Sequence, residues 1–264
     1  MISNNWMKAI VASCLAVTLA ATTVEAGVKT TGHASFTVPT EIGDVIKPGT
    51  DDGIVIGGEQ TQTEGVQLLH VPNFNFGQNA LKAGGTFDAI FENYQEGENT
   101  VSYAIPHFVE VGDFSGDVGT NWRINVEQDS LFKAPTEQGH ELVLSRIHLH
   151  NPTLTNNLKD VTALVTGPVM TAGYATIPVK GKDGGSLSIL TSKGGQADAT
   201  STHGTISSVV FKKGYDSEDY GSKAAGAPSL ADKNTDVKLS VPSVDTARAK
   251  AYSTSLTWTL TIEP

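Results

Sequence analysis

The clearest pattern in the chain is a regular alternation of apolar and polar residues between Tyr252 and Glu263. Leucine, isoleucine, tyrosine and tryptophan residues fall on one side, together with Thr254, and serine, threonine and glutamate residues fall on the other. A period of two with many β-branched and aromatic residues is typical of a strand with one face in a core and one in water. We therefore expect a half-buried strand here, closed by Pro264, around which the domain is built.

Shorter runs of the same kind predict further strands. They span residues 34–38, 66–71, 101–105, 108–111, 121–126, 142–149, 161–165, 186–190, 206–212 and 236–241. The helical pattern at 246–251 is too short to be stable alone. Many short strands without an amphipathic helix predict an all-β fold, either a single β-sandwich of immunoglobulin-like type or a barrel-like domain. Long polar loops are expected at 192–205 and 214–235.

The first 63 residues differ from the rest. Residues 9–21 form an apolar run, and Val24-Glu25-Ala26 places small residues where a signal peptidase reads, so residues 1–26 are predicted to be a signal peptide. Cys14, the only cysteine, ends a lipobox-like Val11-Ala12-Ser13-Cys14, but it lies in the middle of the run, so lipidation is the weaker interpretation. Residues 27–63, rich in proline, glycine and acids, are expected to form an N-terminal strand and an irregular arm, followed by the β domain at 64–264.

Composition narrows the functional classes. The formal charge of the 264 residues is −10, and removing Lys8 and Glu25 with the leader leaves it unchanged. An acidic chain repels nucleic acid and anionic lipid surfaces, so we exclude nucleic acid as a partner. Without Cys14 the chain cannot form a disulfide, which suits an exported bacterial protein of a size that can bury its own core.

The C-terminal strand also carries a family motif. It fits the pattern Tyr-x-x-x-Leu-Thr-Trp-x-Leu-x-x-x-Pro at Tyr252, Leu256, Thr257, Trp258, Leu260 and Pro264. A second tryptophan motif, Trp122-Arg123-Ile124, follows a Gly-Thr-Asn turn, with isoleucine where the family has leucine. In these residues, and in Phe76-Gly77, the chain resembles the WxL-domain family of Gram-positive surface proteins.

The resemblance implies a secreted protein held non-covalently at the cell surface, with peptidoglycan in the cell wall as its target. It also implies possible protein partners, namely a membrane-anchored WxL-interacting protein and other WxL proteins. The sequence contains no sortase-type Leu-Pro-x-Thr-Gly motif, which agrees with attachment by non-covalent contacts. The alternative is a structural or adhesion subunit that assembles with such a partner or with host matrix proteins.

The candidate binding residues come from the two motifs: Trp122, Arg123, Ile124, Tyr252, Leu256, Thr257, Trp258 and Leu260. Tryptophan stacks on sugar faces and anchors interfaces, but both indoles share a strand face with aliphatic residues and also fit a core. We expect the two rings to lie side by side. Tyr252 fits either an exposed hydroxyl or a corner hydrogen bond, and Arg123 either a carboxylate ligand or a solvated side chain.

Metal binding, calcium binding and catalysis have weaker support in the sequence. His148 and His150 fall on one face of a strand, but no third metal ligand is evident nearby, so we predict no metal and no cofactor. The acids Asp216, Glu218 and Asp219 lack the spacing of a calcium loop. The nucleophile elbow, the zinc-protease motif and the phosphate-binding glycine loop are all absent from the sequence, and we expect no enzymatic activity.

Overall fold

The fold is all-β, as the sequence predicts. The computed structural model describes residues 37–135 and 140–263, so the predicted signal peptide, most of the predicted strand at 34–38 and Pro264 lie outside the described residues. The strands are β1 (Ile54–Ile56), β2 (Thr61–Thr63), β3 (Val66–His70), β4 (Gly85–Ile90), β5 (Glu92–Glu96), β6 (Ser102–Ile105), β7 (Phe108–Asp113), β8 (Asn121–Gln128), β9 (Phe132–Lys133), β10 (Glu141–Leu142), β11 (Arg146–His150), β12 (Pro152–Asn156), β13 (Val165–Thr166), β14 (Tyr174–Thr176), β15 (Leu187–Ser192), β16 (Thr205–Phe211), β17 (Lys233–Val241) and β18 (Leu256–Glu263).

The strands form small antiparallel sheets and do not make a clear single sandwich. The sheet orders are β12-β16-β7-β3-β2, β14-β11-β17-β4, β13-β15-β8-β18, β1-β5-β6 and β10-β9. Non-consecutive strands are neighbours in the larger sheets, so the chain crosses repeatedly between them. The prediction of one sandwich or barrel is therefore too simple, but the predicted all-β class is confirmed.

Most predicted strands form, with two clear exceptions. Residues 161–165, predicted as a strand, instead make a one-turn helix, α1 (Val161–Leu164), because the Asp160 side chain accepts a hydrogen bond from the backbone N–H of Thr162 and caps it. Residues 142–149 are divided between β10 and β11. The helical pattern at 246–251 forms no helix, and two 3₁₀ turns occur elsewhere, at Ser217–Asp219 and Ser243–Asp245.

Residues 37–63, which the sequence suggested to be an irregular arm, share one compact unit with the rest of the described chain. β1 pairs with β5, and β2 pairs with β3. The backbone N–H of Ile46 donates to Oε1 of Glu110 at 2.9 Å, and the hydroxyl of Ser208 donates to Oε2 at 2.9 Å. Burial raises the pKa of Glu110 to about 8, so this interior carboxyl is protonated at neutral pH.

Two hydrophobic clusters fill the interior. The larger cluster joins β8, β11, β16 and β17 through residues such as Trp122, Leu149, Phe211 and Val237. A second cluster, which includes Tyr94 and Phe108, lies beneath the N-terminal segment and the β5–β6 pair. β7 is buried along its whole length, as expected for a strand in the middle of a sheet.

Candidate functional site

The two tryptophan motifs lie on neighbouring strands of one sheet. β18 runs antiparallel to β8 over its full length, so Ile262 is opposite Trp122 and Trp258 is opposite Val126. Because side chains alternate along strands, Trp122 and Trp258 point to the same face of the sheet. The C-terminal strand is half-buried, as its alternation predicts: its threonines at 257, 259 and 261 are exposed and the apolar residues between them are partly buried.

Trp122 is a core residue. Its exposed fraction is 1%, and its indole Nε1–H donates to the hydroxyl of Thr202 at 3.2 Å. That hydroxyl donates in turn to Oδ2 of the buried Asp113 at 2.6 Å. Ile124 is fully buried beside it. These two predicted binding residues therefore have no surface with which to contact a ligand, and the proposal of direct contact is corrected for both.

Trp258 lies in a different environment, because β18 is the outer strand of its sheet whereas β8 is flanked by β15 and β18. Its side chain packs against the main core but remains partly exposed. Four residue positions separate it from Trp122 along the strand pair, which corresponds to about 13 Å. The expectation that the two rings lie side by side is therefore wrong, because the facing pair Ile124 and Leu260 lies between them on the same face of the sheet.

A wide groove opens beside Trp258, with a volume of about 1360 Å³. One wall is the segment 71–82, and the other is the segment 247–258, which includes Tyr252, Leu256 and Trp258. Its apolar lining residues include Phe87, Phe132, Leu142, Ile147, Leu239 and Val241, and polar side chains such as those of Gln60, Asn75, Gln78 and Asn79 also line it. The groove therefore combines the C-terminal motif with parts of the chain that are far from it in sequence.

The groove walls are held by local hydrogen bonds. The hydroxyl of Tyr252 accepts from the backbone N–H of Arg248 at 3.0 Å and lies 2.9 Å from Nδ1 of His140. The hydroxyl of Tyr252 therefore makes a corner hydrogen bond, which is one of the two roles that its sequence position allows. On the opposite wall, Gly77 adopts φ of +67°, a left-handed conformation that favours glycine, and ends the Phe74–Gly77 segment. The side chain of Asn79 donates to the carbonyl of Phe76 at 2.9 Å and continues the wall.

The remaining motif residues have structural contacts. The hydroxyl of Thr257 donates to Asp129 at 2.6 Å, and this bond, with a second one from Ser255, holds the pKa of Asp129 below its usual range. Arg123 is on the outward face and pairs with Glu263 at 2.8 Å, with both side chains about 40% exposed. Leu260 packs partly buried on the core. Neither Arg123 nor Leu260 lines the groove.

The charge around the groove differs from that of the whole chain. Its described lining includes Lys82, Arg248 and Lys250, and its carboxylate is Glu59. The chain as a whole carries a formal charge of −10. The described lining therefore contains more basic than acidic side chains, on a chain that is acidic as a whole. The sequence patterns do not indicate Leu81 and Lys82 as groove residues, because neither belongs to a tryptophan motif or to a predicted strand.

The histidine pair is not part of this site. His148 and His150 both lie against the ring of Tyr174, with ring centroids 4.3 and 5.3 Å apart, and Nδ1 of His148 is 2.9 Å from the hydroxyl of Thr176. Burial lowers the pKa of both imidazoles. Within residues 37–135 and 140–263, no group of three or more His, Cys, Asp or Glu side chains is placed to hold a metal ion. Asp216 caps the 3₁₀ turn at Ser217–Asp219.

Comparisons with known proteins identify the chain. In the part that the structure describes, no helix is long and apolar enough to cross a membrane. No curated protein and no solved structure matches the chain. A family model described as "WxL domain surface cell wall-binding" matches residues 18–264, nearly the whole sequence, including the segment before residue 64. The chain therefore belongs to the family of WxL domains, which are surface domains that bind the cell wall.

Proposed function

We propose that this protein is a secreted, non-catalytic surface protein that attaches non-covalently to the cell wall by binding peptidoglycan. The groove beside Trp258 supports this proposal, because it is the concave surface that the C-terminal family motif helps to build. Concave sites with an apolar lining and a few polar groups at their edge are the usual form of ligand sites. Of the predicted residues, Tyr252, Leu256, Thr257 and Trp258 line it.

The test is co-sedimentation of the chain lacking residues 1–26 with purified sacculi. Two variants address the groove: Trp258→Ala, and Leu81→Glu, in which the changed side chain is 60% exposed on the groove wall. Leu158→Glu is a matched control, since Leu158 is 62% exposed and lies outside the groove lining. Melting temperatures are measured for all variants, because Leu81→Glu should leave the fold intact even if Trp258→Ala loosens it.

We expect the wild type and Leu158→Glu to sediment with sacculi, and both groove variants to remain largely in the supernatant. A wild-type protein that stays in the supernatant would contradict wall binding itself. Wild-type-like binding by both folded groove variants would leave wall binding intact and remove the groove as its site.

A second candidate function is assembly with a membrane-anchored partner protein, and the outer position of β18 favours it. Among the described residues β18 forms a ladder only with β8, and it contacts β2 without pairing with it, so backbone groups on that side of β18 remain for a second chain. Mixing the protein with the solubilised membrane fraction of a wall-bearing bacterium, followed by cross-linking at β18, tests this candidate. Cross-links from Thr259 to a protein, with sacculi left unbound, would favour assembly over wall binding.

A further inference from the structure

A second, smaller cavity borders the groove beside Trp258. It has a volume of about 360 Å³, and Thr86, Asp88 and Lys233 belong to its lining. Both cavities are lined by Asn79, Ala80, Lys82, Gly84 and Phe87. The segment 78–84, which we call the flap, is therefore a partition between two cavities, with open space on two sides.

The flap is fastened to the rest of the molecule only weakly. It has no regular structure, and residues 78–83 are exposed. Within the described chain its only hydrogen bonds run from the side chain of Asn79 to the carbonyl oxygens of the two residues that directly precede the flap. The adjoining part of the same wall is tied to the sheet, because the carbonyl of Asn75 accepts from the backbone N–H of Ile90 at 2.7 Å. Segments with exposed backbone groups and few buried contacts open at a low cost in free energy.

Both ends of the flap are held at glycines. Gly77 has φ of +67°, and a Cβ there would lie 3.0 Å from Nζ of Lys233. At the other end, a Cβ on Gly84 would lie 2.7 Å from the backbone nitrogen of Ser243, so the chain passes close against that turn, and Gly85 then begins β4. Lids over ligand sites move about a few residues at the ends of a loop, which absorb the backbone change.

Leu81 indicates the direction in which the flap closes. Its side chain is 60% exposed, and it lines the groove but not the smaller cavity. The groove offers the partly exposed indole of Trp258, whereas the charged residues Asp88 and Lys233 line the smaller cavity. Removing apolar surface from water is favourable, but with only water in the groove the Leu81 side chain has nothing to pack on. The flap therefore gains a packing surface when a ligand fills the groove.

We propose that the flap is a lid that closes over the wall polymer in the groove, with Leu81 packing onto the bound polymer. This inference rests on the proposed function and adds a conformational step to it. In the free protein the flap is open and moves, and in the bound protein it is ordered and slows the release of the polymer. The opposite wall stays in place, because Ser253 and Lys133 exchange two backbone hydrogen bonds, of 3.0 and 3.1 Å.

Distances between paired spin labels test the movement in the chain lacking residues 1–26, which contains no cysteine of its own. One label is attached at Ala83→Cys, which is exposed and lines neither cavity, and the other at Thr259→Cys on the exposed face of β18. We expect a broad distance distribution in the free protein, and a narrower one shifted by about 3 Å or more after sedimentation with sacculi. The control pair, Leu158→Cys with Thr259→Cys, lies outside the flap and should give the same distance in both states.

Hydrogen exchange provides a second readout, because the flap amides donate no hydrogen bond within the described chain. We expect these amides to exchange at nearly unprotected rates in the free protein and about tenfold more slowly in the bound protein. Leu81→Ala should leave the flap open in the bound protein, with fast exchange and a broad distance distribution, and should raise the Kd for sacculi by about fivefold. Leu158→Ala is the matched control, since Leu158 is 62% exposed and lies outside the groove lining.

Each contrary result has a separate meaning. A bound protein with the distances and exchange rates of the free protein would show that the flap is a static wall, and would overturn the inference while wall binding stands. Slow exchange of residues 78–84 in the free protein would overturn it whatever the protein binds. Closure of the flap in Leu81→Ala to the wild-type extent would also overturn it, because Leu81 would then not hold the flap closed. Failure of the wild type to sediment with sacculi would overturn the proposed function itself.

Discussion

Trp122 and Trp258 have nearly the same sequence context but different roles in the structure. Each is followed two residues later by an aliphatic residue, each lies on an alternating strand, and both strands belong to one sheet. Trp122 is 1% exposed and donates a buried hydrogen bond, whereas Trp258 borders an open groove. The difference in exposure arises from the position of each strand in the sheet, because β8 has a neighbouring strand on both sides and β18 has a neighbouring strand on one side. A tryptophan motif can thus build the core or line a surface groove, depending on the position of its strand in the sheet.

The largest effect that separates the two residues is expected from Trp122→Ala. Truncating a fully buried tryptophan leaves a large cavity and leaves Thr202 without its donor, which should lower the free energy of unfolding by about 3–5 kcal/mol. Urea denaturation followed by circular dichroism measures this change. A variant that unfolds at the wild-type midpoint would show that Trp122 is not part of the core.

The interior also contains the buried carboxyl of Glu110, which is sensitive to alkaline pH. Its pKa is raised to about 8 in the folded state, so the unfolded chain releases this proton first and stability falls as pH rises from about 4.5 through 8. Glu110→Gln should remove this dependence and stabilise the protein by about 3 kcal/mol at pH 7. Thermal unfolding between pH 5 and pH 9 provides the measurement.

Glu98→Gln is the control for this substitution, since it makes the same chemical change at an exposed position. If Glu110→Gln has the same pH profile as the wild type, the carboxyl is not held neutral by burial.

Thr202→Val tests the hydrogen-bond chain beneath Trp122. The substitution keeps the volume but removes both the acceptor for the indole and the donor to the buried Asp113, and should cost about 2 kcal/mol. Thr200→Val is a matched control, because the hydroxyl of Thr200 donates in an exposed turn, to the carbonyl of Ala197. Equal midpoints of urea unfolding for the two variants would contradict the importance of the buried chain.

A smaller effect on stability is expected from Trp258→Phe. The phenyl ring keeps most contacts with the core from an already partly exposed position, so the loss should be about 1 kcal/mol or less. In the chain lacking residues 1–26, Trp122 is then the remaining indole, and acrylamide should quench it poorly. Trp122→Phe gives the opposite arrangement, and its remaining indole should be quenched readily. Similar quenching in the two variants would remove the contrast between the strands.

The smallest effect should come from the outward face of the same strand pair. Arg123→Gln breaks the ion pair with Glu263, but both side chains are about 40% exposed and screened by water. We expect a change of about 0.5 kcal/mol or less, with binding to sacculi unchanged. A clear loss of wall binding in this variant would move the site from the groove to the outward face.

Several parts of the fold follow from local patterns. The alternation in β8 and β18 predicts both the strands and their buried faces, because the period of two assigns each side chain to one side of a sheet. Local patterns fail where contacts with other segments determine the conformation. Residues 161–164 have β-branched side chains typical of a strand, yet the Asp160 cap makes them a helical turn. The segment before residue 64 has little periodicity, and it is held by pairing with β5 and β3 and by the buried Glu110.

For the candidate site, too, some features follow from local sequence patterns and others depend on tertiary packing. The sequence by itself determined that the fold is all-β, that Trp122 and Trp258 each lie on the apolar face of their own strand, and that the C-terminal strand is half-buried. Only the tertiary structure decided which strand lies at the edge of the sheet, and therefore which indole is exposed. It also decided that 71–82 and 247–258 form two walls of one groove. The physical reason is that side-chain alternation is a local property of a strand, whereas edges and grooves depend on which distant segments pack beside it.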